Sequence, residues 1–119
     1  MRTAYIAIRS EKDAARNLLS GFRNAWKSGT YQGEHFEFAS PAALFRAISP
    51  KRWELIEALK ATGAMGVREL ARHLKRDVRR VHDDAKALLQ TGLIEKTPDG
   101  KLIVPFAEIH ADFVLKSAA

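Results

Sequence analysis

The sequence predicts an α+β fold, and three observations carry that prediction. Two short segments read as strands: the apolar run Tyr5-Ile6-Ala7-Ile8 with its β-branched residues, and the alternating His35-Phe36-Glu37-Phe38. Elsewhere apolar residues recur at spacings of three and four between capping residues, the pattern of amphipathic helices. Near the end, Thr97-Pro98-Asp99-Gly100 separates two short apolar runs, and Asp-Gly in that setting is a hairpin signal.

Taken in order, the first strand lies near residues 3–9. Ser10 then opens Ser-Glu-Lys-Asp, an N-cap with carboxylates in the first turn, and a helix is expected to about Lys27. Its apolar stripe is Ala15, Leu18, Phe22 and Trp26, joined by Leu19. Residues 28–33 form a loop before the second strand. Two strands joined through a helix would pair in parallel by a right-handed crossover, or each could pair with another chain. Ser40-Pro41 and Ser49-Pro50 repeat one device, a capping serine with proline at the first helical position. They start a short helix at 41–47 and a longer one at 50–62. The longer one buries Leu55, Ile56 and Leu59 and stops at Gly63.

From Gly66 the elements come closer together. Val67, Leu70, Ala71 and Leu74 mark a helix barely two turns long. Lys75-Arg76-Asp77 is a tight turn, and Asp77 caps a further helix from Val78 to about Gln90, with Gly92 past its end. Leu93-Ile94-Glu95-Lys96 and Lys101-Leu102-Ile103-Val104 are the two hairpin strands. The tail from Phe106 to Leu115 fits a strand through Ile109, Ala111, Phe113 and Leu115. It fits a helix equally well through Phe106, Ile109 and Phe113.

Composition narrows the function. The chain has 119 residues and no cysteine, which excludes disulfides, thiolate metal sites and cysteine nucleophiles. No apolar run approaches the roughly 20 residues of a membrane span, and the N-terminus shows no signal-peptide pattern. A soluble, cytoplasmic protein is expected. The net charge is +6, and it is unevenly placed. Residues 1–33 hold six basic and two acidic side chains, and residues 65–90 hold seven and four. A basic balance favours acidic partners, nucleic acid above all. Two solvated faces would give the same count.

The helix after Asp77 is where the charge acquires direction. At about 100° per residue from Val78, the residues Val78, Val81, Ala85, Leu88 and Leu89 fall within an arc of about 100°, a buried stripe. The opposite direction is near 150°, where Arg76 (about 160°), Asp83 (about 140°), Arg79 (about 100°) and Arg80 (about 200°) would point outward. These positions cluster at the helix N-terminus, the end that a recognition helix presents to base edges. Arginine suits that role because its fork can bridge O6 and N7 of guanine. Asp83 could accept from cytosine N4, hold Arg79 and Arg80 in place, or repel phosphate. The competing reading is that Arg79 and Arg80 pair with Asp83 and Asp84 at i+4 on a solvated helix. Arg68, Lys75, Lys96 and Lys101 are candidates for phosphate contacts, the last two beside the hairpin tip.

The run Gly66-Val67-Arg68-Glu69-Leu70-Ala71-Arg72-His73-Leu74-Lys75-Arg76-Asp77-Val78-Arg79-Arg80-Val81-His82-Asp83-Asp84, followed by Leu88-Leu89-Gln90-Thr91-Gly92-Leu93-Ile94, resembles the winged helix-turn-helix of MarR-like prokaryotic regulators. It is most similar to small archaeal and bacterial DNA-binding proteins in which a strand-and-helix piece precedes the winged helix and a Val-Pro-Phe-like stretch, here Val104-Pro105-Phe106, follows the wing. The family's polar cap before the Val67 helix is replaced by Gly66. The resemblance implies an N-terminal strand-helix arm over residues 1–35 for dimerisation or partner contact. It implies a winged-helix domain with a C-terminal tail over 36–119. It further implies sequence-specific binding of double-stranded DNA as a homodimeric repressor of its own operon. Family members that resemble the regulatory half of a toxin–antitoxin pair leave a cognate toxin open as a second partner. The alternative is an interaction module, the winged helix serving as scaffold for an acidic protein.

Catalysis is not expected, nor any cofactor or metal. The histidines His35, His73, His82 and His110 have no HxxxH or HExxH spacing. His35-Phe36-Glu37 imitates the H-x-E of zinc deaminases, whose chemistry also needs a cysteine pair. No phosphate-binding glycine loop or nucleophile elbow occurs.

Overall fold

The computed structural model describes residues 1–9 and 33–115. The helix expected between Ser10 and about Lys27 lies outside them. The chain divides into two units, Met1–Leu44 with Phe106–Ala119, and Phe45–Pro105. The second is therefore an insertion between the strands of the first. The tail groups with the N-terminal strands in the first unit.

The first unit is a parallel sheet. β1 (Thr3–Ile8) is central, with β2 (Glu34–Phe38) on one side and β5 (Glu108–Asp112) on the other. Ala4 pairs with Glu34 and Ile8 with Phe38 on the β2 side; Thr3 pairs with Glu108 on the β5 side. The tail is thus a strand, and its helical spacing is unused because the second edge of β1 supplies its backbone partners. Alternation sends Ala4 and Ile6 inward, where both are buried. Tyr5 points to the opposite face, and its ring stacks between His35 and His110 at centroid distances of 5.3 and 5.1 Å. Arg2 binds Glu34 through two nitrogens at 2.9 and 2.6 Å and lies over the Phe106 ring.

Among the described residues, the second unit holds most of the helices. α1 (Pro41–Ala47), capped by the Ser40 hydroxyl accepting from the Ala43 N–H at 3.1 Å, carries the chain across the boundary. α2 (Pro50–Thr62) begins at Ser49, whose hydroxyl accepts from the Arg52 N–H. α3 (Val67–Leu74), α4 (Val78–Thr91) and the two-residue strands β3 (Glu95–Lys96) and β4 (Leu102–Ile103) follow. α2, α3 and α4 pack on one another around Leu55, Leu59, Leu70, Val81 and Leu88, all almost fully excluded from solvent. Each such side chain stabilises the unit by about 1.5–3 kcal/mol through transfer from water. Met65, just before α3, exchanges both backbone hydrogen bonds with Leu102 (3.0 and 2.8 Å), which fixes the hairpin to the helices.

The hairpin turn is tight. Gly100 donates its N–H to the Thr97 carbonyl, and Thr97 donates its own to Lys101. Gly100 sits at φ 83°, so the Asp-Gly signal works here by placing glycine at the left-handed position that closes a three-residue loop. Among the described residues no helix is long and apolar enough to cross a membrane.

Candidate functional site

The local sequence explains how α3, the turn and α4 come to lie as they do. α3 ends in a Schellman motif: Arg76 donates its N–H to the Ala71 carbonyl (3.0 Å) and Lys75 donates to Arg72 (3.2 Å). The motif needs a left-handed residue, and Lys75 takes that conformation at φ 55°. Asp77 follows at once, and its carboxylate accepts from the Arg80 N–H at 3.2 Å to cap α4. Gly92, at φ 93°, ends α4. Ala71 is fully buried between the helices, where a larger side chain would force them apart.

On α4 the buried residues are Val81, Ala85 and Leu88. Two members of the expected stripe fall short: Val78 is 38% exposed and Leu89 is half-buried. The core direction is therefore centred near 305°, and the outward direction near 125°, at about 100° per residue. Arg79 and Asp83 lie within about 25° of that direction and are exposed; Arg80 is exposed on one flank. Lys86 and Gln90 share the outward face and are also exposed.

Arg76 does not project outward. Its guanidinium donates to the Asp84 carboxylate at 2.7 Å, and its side chain is only 12% exposed. The angle assigned from sequence assumes that the helix continues backwards through residue 76. The helix instead starts after Asp77, and the Schellman motif turns Arg76 toward α4. Asp84 also accepts from Arg52 of α2 at 3.1 Å, and Arg52 donates in turn to the Ala47 carbonyl at 2.8 Å. Burial alone would raise the Asp84 carboxyl, but hydrogen bonds from Arg76 and then Arg52, with their charges, outweigh it. The group is held below the ordinary carboxylate range.

This triad removes the competing pairing for the outward arginines. Asp84 is committed to Arg52 and Arg76, and the Asp83 carboxylate lies 3.8 Å from the His82 ring. Among the described residues neither Arg79 nor Arg80 makes an ion pair. Both guanidiniums are left to solvent at the start of α4.

Two adjoining hollows organise the remaining positions. The first is bounded by Val67, Arg68, Val78, Arg79 and His82. The second, about 340 Å³, runs between α4 and the hairpin and is lined by Val67, His82, Ala85, Lys86, Leu89, Lys96 and Leu102. Val67 and His82 belong to both. Arg68, Arg79 and Lys96 are thereby brought to one face, with Lys75, Arg80 and Lys101 exposed beyond the hollows. Sequence reasoning missed Lys86 and His82 on this face. The signal was present: Lys86 follows His82 by four residues and Arg79 by seven, which places all three on one side of a helix.

A family model described as HVO_A0114 matches residues 47–111. No curated protein and no solved structure matches the chain.

Proposed function

The chain belongs to the HVO_A0114 family, and we propose that it is a cytoplasmic, sequence-specific double-stranded-DNA-binding regulator of transcription, acting as a dimeric autorepressor. The observation that carries this reading is the unpaired, solvent-facing Arg79 at the first turn of α4, on one face with Arg68, Lys86 and Lys96. The order of elements supports a winged helix-turn-helix: α2, the Met65 bridge, α3, a tight turn, α4, then the hairpin as wing.

In this reading α4 is the recognition helix, about 21 Å long, and it enters a major groove about 12 Å wide. Arg79 and Arg80 read base edges, each fork suited to guanine O6 and N7, and Asp83 accepts from cytosine N4. Arg68, Lys75, Lys96 and Lys101 hold phosphates, which sets register without reading sequence. Arg76 takes no part in base reading; it anchors α4 through Asp84. The excess of cations on this face attracts a polyanion over distances comparable with the Debye length.

The test is a mobility-shift titration of the full chain against the duplex upstream of its own gene, with a randomised pool beside it. A retarded, salt-sensitive complex with at least one duplex is expected. No complex with either overturns the reading and leaves an acidic protein as the partner to seek. A cognate toxin is the further partner, tested by co-purification with the product of the neighbouring reading frame.

A further inference from the structure

On the reading that α4 binds DNA, we propose that the hollow at its N-terminus receives the methyl group of a thymine beside the guanine bound by Arg79, so that Val78 is a specificity-determining residue. Val78 is the first residue of α4 and is 38% exposed, although its neighbours along the chain are charged. It forms one wall of a concave spot with Val67, and Arg68, Arg79 and His82 form the rest. An apolar hollow flanked by two arginines is complementary to one feature of the major groove. The thymine C5-methyl is the apolar group there, and it stands among acceptor atoms and beneath phosphates. The N-terminal residues of a recognition helix are those that reach base edges. Val78 and Arg79 line the same hollow, so a thymine methyl seated in it lies beside the base that Arg79 contacts. The occupant is therefore a thymine in a thymine–guanine step.

The experiment begins with selection of duplexes from a randomised pool by the full chain. Each thymine of the selected site is then replaced singly by deoxyuridine, which removes only the methyl group. Wild type is expected to lose about fourfold in affinity at one thymine per half-site, the equivalent of one buried methyl. Val78→Ala is expected to bind the thymine site about fourfold more weakly than wild type and to be indifferent to deoxyuridine at that position. If deoxyuridine at every thymine leaves wild-type affinity unchanged, or if Val78→Ala shows the same sensitivity as wild type, the thymine assignment falls while DNA binding stands. If no duplex is enriched, the DNA-binding reading falls and takes this assignment with it.

Discussion

Arg76 and Arg79 stand on either side of the Asp77 cap and have opposite fates. Arg76 folds onto Asp84, which also holds Arg52, so three partly buried charges from α2, the turn and α4 pair with one another. Arg79 lies one helical turn away with no acidic partner, in solvent beside Val67 and Val78. The first flank of α4 is tied down by ion pairs, and the second is open to solvent. Residue type does not distinguish them, and local charge pairing within the helix does not either. What distinguishes them is Arg52, 32 residues before Asp84, which draws that carboxylate to the inner flank.

The comparison can be broken most forcefully at Asp84. Asp84→Ala strands two partly buried guanidiniums and is expected to cost about 2–4 kcal/mol of stability, at or just below the range for a buried pair that loses one partner. A urea midpoint measures it; a change under about 0.5 kcal/mol would make the triad ornamental. The same group predicts a pH dependence. The folded Asp84 carboxyl titrates below its unfolded value, so its contribution is complete above about pH 4 and is lost as pH falls through the folded value. The stability gap between wild type and Asp84→Asn should therefore close on acidification.

Arg79→Ala should do the reverse. It is expected to leave stability within about 0.5 kcal/mol of wild type and to cost about 1–3 kcal/mol of binding to a preferred duplex, with relaxed specificity. Equal losses of stability in the two variants would erase the distinction between the flanks. Lys75→Gly separates the two roles within one residue. Relief of the left-handed lysine should add about 1 kcal/mol of stability, while loss of its charge weakens every duplex alike. Lys96→Ala is the mildest: stability is unmoved, and the salt slope of binding falls by about 1.

Helices and caps were legible because their signals are local. Ser49, Asp77 and Gly92 stand at the ends that sequence assigns them, and β1 pairs with β2 in parallel, one of the two arrangements that the sequence leaves open. The outward position of Arg79 follows from periodicity alone. Three features were not legible, each for a stated reason. Arg76 lies outside the helix whose angle it was given. The Arg52–Asp84 pair joins residues too far apart in sequence for any spacing rule. The tail fits strand and helix equally by spacing, and only the edge of β1, distant in sequence, decides for strand.

The central claim is that the outer flank of α4 reads double-stranded DNA. Its most direct test is the affinity of wild type and Arg79→Ala for a selected duplex and a scrambled one across a range of salt. Both proteins should show log affinity falling with log salt, with a slope of about −3 to −4 per protomer for four phosphate-holding cations, and only wild type should prefer the selected duplex by about tenfold or more. Binding that ignores salt, or an Arg79→Ala protein that discriminates as well as wild type, would contradict the account.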